Sequence, residues 1–356
     1  MSTSTPLGKL RTNGLLWPIV ALVALLVVNV IARPSFASIT LRDGHLYGSL
    51  IDILRNGAPT LLVALGMTLV IATRGIDLSV GATAAIVGAI TTTYIVAAPD
   101  PASARAAFIG MAIALVACAL LGVWNGFLVS VLGIQPIIAT LVLMVAGRGI
   151  AMLITDGQII TVNNEAFSVV GAGFVLLPVS ILISIAVFIG LVIITRRTAL
   201  GMLIESVGIN PEASRLAGIR SRTIVWMVYV FAALCAGVAG LMITSNVNSV
   251  NPNSVGLWIE LDAILAVVIG GTSLAGGRFS LAGTLLGALV IQTLTTTVYN
   301  LGIEPQAILV FKAAVVLAVC LMQAPKFRAR FVRRPKPPTP AIRPTAPAPV
   351  PSKVGQ

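Results

Sequence analysis

The chain has 356 residues, of which 57% are hydrophobic and 10% charged, and its mean hydropathy is +1.03. A soluble domain carries about 25% charged residues, so this chain cannot cover itself with a polar surface and lipid must be part of its solvent. The net charge of +12 gathers beside apolar runs, as cytoplasmic retention produces, and leaves no folded basic surface to present to nucleic acid.

Residues 1–14 read as a short cytoplasmic N-terminus holding Lys9 and Arg11. The apolar stretch Leu15–Ile31 follows, and Ser35-Phe36-Ala37 resembles a small-x-small cleavage site. The run is long for a signal peptide and Arg33-Pro34 intervene before the cut, so it is read as an uncleaved first span. Crossing a hydrocarbon core of roughly 30 Å takes about 20 apolar residues. Nine further candidates follow: Ala58–Ala72, Val80–Ala98, Ala106–Leu121, Ile137–Ile154, Val175–Thr195, Ile224–Thr244, Leu261–Gly270, Leu281–Leu301 and Ala307–Met322. The expected fold is an all-α transmembrane bundle of about ten spans over 15–323, some of them short or broken.

Orientation follows from lysine and arginine. Five basic residues lie in a loop at 196–223 and eight lie after Gln323, on one side of a ten-span chain. The opposite side receives the lighter load of Arg33, Arg42, Arg55 and Arg105. Both termini are therefore expected inside. The tail, 324–356, is basic and proline-rich; it buries too little to offset its ordering entropy and is expected to be disordered against anionic headgroups. An internal echo pairs residues 69–79 with 267–274: each is an apolar run, then a Gly/Thr/Ser break, then a small-residue span. Such repeats in transporters place solute sites at broken helices.

Residues suited to enzyme chemistry are scarce. No phosphate-binding loop occurs, since Gly8-Lys9-Leu10 lacks the spacing. His45 has no Cys or His partner to build a metal site. Cys118, Cys235 and Cys320 fall inside apolar runs as small hydrophobes. In the break Thr73–Ser79, Asp77 either lines a solute route or caps the next helix, and Arg74 is an inside-facing anchor. A break is also expected at Trp124-Asn125-Gly126, which with Gln135-Pro136 flanks a glycine-broken apolar stretch. The amides of Asn125 and Gln135 suit hydroxyl-rich solutes or satisfy freed helix backbone. Arg148, within a span, needs a partner or must snorkel. Glu260 and Asp262 open the eighth span and diverge at i, i+2, so they make no shared acid/base pair. One of them lies interfacially or faces the route, and Lys312 pairs with one of the buried acids.

The inside loop is the strongest local feature. From Asn210 it spells a short helix: Asn as N-cap, Pro211 first, Glu212 in the first turn, Arg215 late and Gly218 beyond the end. So short a helix is marginal in water, and Ala213, Leu216 and Ala217 are expected to pack it onto the membrane domain.

At this loop, Gly201…Gly208-Ile209-Asn210…Ala217-Gly218-Ile219 resembles the coupling segment of ribose-type ABC importer permeases. The resemblance extends through Gly66–Ile71, Gly75–Gly81, Ile138–Leu141 with Arg148-Gly149, and Glu260–Gly277. Together these ordered blocks reach from about Ile51 to Met322, most of the folded chain. Arg42–Ser49, Ile51–Leu54 and Val145–Gly149 resemble the galactofuranose-type branch. The resemblance implies a bacterial inner-membrane transport subunit that is not itself an enzyme. Its partners would be an ATP-binding subunit carrying ATP and Mg, a periplasmic sugar-binding protein and a second permease, a heterodimer being favoured. It also implies that Gly201, Glu205, Gly208, Asn210, Ala213, Arg215 and Gly218 belong to the segment that docks on the ATPase. Asp77, Asn125, Gln135, Arg148, Glu260 and Asp262 are the candidates for the sugar path. The alternative is an ion-coupled secondary sugar transporter, which would recruit Asp77 or Lys312 as its titratable group.

Overall fold

The computed structural model describes residues 15–42, 44–304 and 307–323; the expected N-terminal segment 1–14 and the tail 324–356 lie outside the described residues. Among the described residues, seven helices are long and apolar enough to cross a membrane. They are α2 (Ser49–Ala72), α3 (Val80–Ala97), α4 (Ala104–Ser130), α5 (Pro136–Ile154), α7 (Val179–Arg197), α10 (Ser221–Val247) and α12 (Leu281–Asn300). Three shorter apolar helices, α1 (Leu16–Ala32), α11 (Ile259–Ile269) and α13 (Ile308–Gln323), coincide with the other sequence-predicted spans. The remaining described helices, α6 (Glu165–Ala172), α8 (Leu200–Ile209) and α9 (Pro211–Leu216), sit at the ends of the bundle.

A helix apolar on every side must be buried on every side, and α2 is that helix. Of its most apolar stretch 83% is buried, against 28% for α5 and for α7. Around α2 pack α10, α11 and α12, and α10 also carries α3 and α4. Lipid supplies no hydrophobic drive between helices, so association rests on close backbone approach through small residues. Gly66 lies so close to Ala232 that a Cβ there would sit 2.8 Å from its Cα. A Cβ at Gly122 would meet Val230 at the same distance, and one at Gly240 would meet Ala84.

Asn29, within the first apolar run, is fully buried and ties α1 to α12. Its Nδ2 donates to Thr297 Oγ1 at 2.6 Å, and Asn300 Nδ2 donates to its Oδ1 at 2.9 Å. Periodicity gave no hint of this docking, because it joins positions at opposite ends of the sequence.

From α2 to α10 the successive long helices alternate in direction, and α12 runs the same way as α10, both antiparallel to α2; the loops are divided between two ends. One end carries the hairpin β1 (Thr40–Arg42) with β2 (His45–Tyr47), the helix α6, and the antiparallel pair β3 (Ile160–Thr161) with β4 (Ser249–Val250). The other carries α8, α9 and the irregular segments 73–79, 131–135 and 270–280.

Two local expectations need correction. The stretch at Trp124-Asn125-Gly126 is not broken: α4 runs through it to Ser130. Gly126 is there for contact, since a Cβ would collide with the Trp226 ring, whose Nε1 donates to the Val123 carbonyl at 2.9 Å. The sixth predicted span begins at Val179 rather than Val175, because Pro178, which has no N–H, stands at the N-cap.

Candidate functional site: a buried polar break and a coupling segment

The chain leaves helical geometry after Ala72. Arg74 takes φ +66, and residues 75–79 run irregularly to the start of α3. Asp77, only 1% exposed, turns its Oδ1 onto Ser79 and accepts from the Ser79 backbone N–H at 2.9 Å and from its hydroxyl at 2.6 Å. This Asx-type turn satisfies one of the orphan donors at the head of α3. Ser79 Oγ accepts in turn from Asn125 Nδ2 at 2.8 Å. From α5, Thr140 Oγ1 accepts the Leu78 N–H at 3.1 Å and lies 3.2 Å from the Ile76 carbonyl.

Two atoms of this node have no hydrogen-bond partner among the described residues: Asn125 Oδ1 and the Tyr229 hydroxyl, both on fully buried side chains. The Tyr229 hydroxyl abuts Gly75, where a Cβ would come within 2.5 Å of it. Buried polar atoms are nearly always satisfied, so these two leave hydrogen-bonding capacity open at the node. Sequence reasoning missed Tyr229. Its signal was a phenol inside a Gly/Ala-rich apolar helix, whose hydroxyl must find a partner when buried.

The two carboxylates of α11 separate as their spacing requires. Glu260, 5% exposed, faces the head of α3, where Gly81 leaves the room its Oε2 occupies, and that oxygen has no hydrogen-bond partner among the described residues. Asp262 turns the other way and pairs with Lys312, Nζ lying 2.9 Å from Oδ1 and 2.7 Å from Oδ2. Arg148 does not snorkel and makes no ion pair within 4 Å among the described residues, although its charge acts on Glu260. Its Nη1 donates to the Pro252 and Val255 carbonyls at 2.9 and 2.6 Å, fixing the loop that leads into α11. Gln135 stands apart from these groups, exposed at the N-cap of α5 with no side-chain cap bond.

At the same end as the break lies the segment 200–218, expected from the sequence to meet an ATP-binding partner. Asn210 Oδ1 accepts from the N–H groups of Glu212 at 3.1 Å and Ala213 at 3.0 Å, Pro211 opens α9, and Gly218 follows at φ +85. Arg215 pairs with Glu212 at 2.6 Å, and this hydrogen-bonded guanidinium holds the Glu212 carboxyl below its ordinary pKa. Gly201 is buried against the Thr195 carbonyl, and Glu205 is half-buried on α8. Gly208 packs where any Cβ would strike the Ala72 carbonyl oxygen and the Gly277 nitrogen.

The expected packing of α9 is reversed. Ala213, Leu216 and Ala217 are exposed, Leu216 by 79%, and Ser214, 5% exposed, is the residue turned inward. Six residues make under two turns, too few for apolar periodicity to decide which face is covered. Backbone ties decide it: Ile219 N–H donates to the Ser214 carbonyl at 2.9 Å, and Ser221 Oγ donates to that of Pro211 at 3.2 Å.

Comparison with known proteins places this architecture. The family described as branched-chain amino acid transport system / permease component matches residues 49–320. The galactofuranose transporter permease protein YtfT of Escherichia coli (strain K12) is 47% identical over 326 residues, covering 91% of this chain and 94% of that protein. The fructose import permease protein FruF of Bifidobacterium longum (strain NCC 2705) is 42% identical, over 89% of this chain and 90% of that protein. The ribose import permease protein RbsC of Bacillus subtilis (strain 168) is 36% identical, over 87% of this chain and 93% of that protein. No solved structure was found to match. With its long apolar helices and these relatives, the chain belongs to the branched-chain amino acid transport system / permease component family of multi-pass membrane proteins.

Proposed function

We propose that this chain is the membrane-spanning subunit of a sugar importer of the bacterial inner membrane, driven by ATP hydrolysed on a partner chain. The observation that carries the reading is α9: a helix capped at both ends, tied from behind, and presenting Ala213, Leu216 and Ala217 outward with none of the described residues over them. That face is the docking surface for the ATP-binding subunit, with Gly201, Glu205, Gly208, Asn210, Arg215 and Gly218 shaping the segment behind it. ATP and Mg are held by that partner.

The sugar class is supported by the names of the galactofuranose, fructose and ribose permeases. It is supported chemically by a central node that offers a phenol, an amide and hydroxyls, the donors and acceptors that a polyol needs. Asp77, Asn125, Arg148 and Glu260 are assigned to the path or its walls. Asp262 and Gln135 take other roles, the first a strut with Lys312 and the second a helix end.

The chain crosses the membrane ten times, with both termini inside and residues 196–223 on the cytoplasmic face. The eighth crossing combines the loop 251–258 with the half-length α11. Residues 1–14 and 324–356 are cytoplasmic flanks of the permease domain 15–323. A periplasmic binding protein delivers the sugar, and a second, different permease completes the pathway.

Competition for uptake tests the substrate. In cells expressing the full transporter, labelled galactofuranose should be taken up and be displaced by unlabelled galactofuranose before fructose or ribose. Displacement only by branched-chain amino acids would overturn the sugar assignment.

A further inference from the structure

Both irregular segments of the internal echo meet at one point, and the coupling segment is wedged into it. Gly277 N–H donates to the Ala72 carbonyl at 2.9 Å, joining the start of 73–79 to 270–280. Gly208, one residue from the end of α8, fills the angle between them so closely that a side chain would strike both partners. Arg74 then reaches across: its Nη2 donates to the carbonyl of Ile209, the last residue of α8. Its stem is held from the other side by Gly276, where a Cβ would collide with Arg74 Cγ.

The backbone is specialised for this meeting. Arg74 adopts φ +66, and Gly276 and Gly277 adopt +83 and +91. A non-glycine residue in the left-handed region persists only where its surroundings impose it. A cation on the terminal carbonyl of a helix also complements the negative end of the helix dipole. Sequence gave Arg74 only an anchoring role; the structure gives it a partner. The residue after it, Gly75, is the one in contact with the Tyr229 hydroxyl, and Asp77 follows two positions later.

We infer that Arg74 is a positioning residue, a latch through which displacement of α8 and α9 is passed to the 73–79 break and so to the polar node of Asp77, Ser79, Asn125 and Tyr229. This rests on the assignment of α9 as the ATPase-docking helix. A push on α9 moves Ile209; the guanidinium carries Arg74 with it, and the turn at Gly75–Asp77 re-aims beside Tyr229. Gly208 and Gly277 keep the joint closed, and Arg74 makes it follow.

The test is made on the complete transporter in proteoliposomes, permease with ATP-binding subunit and sugar-loaded binding protein, for Arg74→Ala, Arg74→Lys and Gly276→Ala. The ratio of sugar imported to ATP hydrolysed should fall about tenfold for Arg74→Ala and for Gly276→Ala, the span that coupling residues command. Arg74→Lys, which keeps a cationic donor, should restore most of it. Co-purification of the ATP-binding subunit should be unchanged, a readout that separates lost coupling from lost fold. An unchanged ratio in Arg74→Ala overturns the latch. If the alanine variant does not assemble, Arg74→Gln, which keeps the stem and an amide donor but no charge, is measured instead with the same two outcomes. Failure of the unmodified complex to import sugar with ATP would instead overturn the function on which the latch depends.

Discussion

Lys312 Nζ lies 2.7 Å from Oδ2 of Asp262, and this pair binds α13 to the half-length helix α11. Both side chains are largely buried, 14% and 20% exposed, so each neutralises the other where a lone charge would be costly. Glu260, two residues earlier, makes no direct ion pair among the described residues, has only the more distant charge of Arg148, and faces the head of α3. The two acids of one turn therefore do different work.

That division predicts opposite outcomes for two neutralisations. Asp262→Asn alone leaves the Lys312 charge unpaired and should destabilise the protein by about 3 kcal/mol, read as a lower thermal midpoint in detergent. Adding Lys312→Met should recover most of that loss and leave uptake near normal. Glu260→Gln should keep the midpoint and reduce uptake. Were the double variant inactive and Glu260→Gln fully active, the two roles would have to be exchanged.

Asp77 acts through one oxygen. Both bonds from Ser79 arrive at Oδ1, so Asp77→Asn can keep the turn, whereas Asp77→Ala removes it and should cost about 1–3 kcal/mol. Thermal unfolding of the two variants measures this directly. Equal losses in both would mean that the charge, and not the turn, is what the fold needs.

The outward face of α9 separates docking from folding. Leu216 is 79% exposed, so Leu216→Asp should change stability by no more than about 0.5 kcal/mol while abolishing co-purification of the ATP-binding subunit. Retention of that subunit at normal yield would remove α9 from the interface.

Asn29 predicts a measurable tether for α1. Asn29→Leu removes the bonds to Thr297 and Asn300, and such interhelical bonds in membrane proteins contribute about 0.6 kcal/mol on average and up to about 1.7. A double-mutant cycle with Asn300→Leu should return a coupling of that order; additive effects would mean that α1 docks by packing alone.

These contrasts also mark what a single sequence can disclose. Apolar length located the seven long helices, and the glycine-flanked charges at 74–79 announced an interrupted helix, because both signals are local. Asn210, Pro211 and Gly218 announced α9 and its limits for the same reason. Its exposed face was not legible, since a helix of six residues has no periodicity to set against solvent. The unbroken course of α4 through Gly126 was hidden because glycine serves two purposes, ending helices and admitting neighbours, and only the Trp226 ring opposite tells which. The partners of Asn29, Arg148 and Tyr229 lay beyond reach because each contact joins segments far apart in the chain. The choice of Asp262 over Glu260 for Lys312 needed the rotation of α11 about its own axis, which no spacing rule supplies.

The central claim is that this permease moves sugar when a partner hydrolyses ATP. It is tested most directly in proteoliposomes holding the purified permease complex and sugar-loaded binding protein, with ATP supplied on the side of α9 and no ion gradient present. The account predicts uptake of labelled sugar that requires ATP hydrolysis and ceases with Leu216→Asp. Uptake by the permease alone, driven by a proton or sodium gradient and indifferent to ATP, would contradict it.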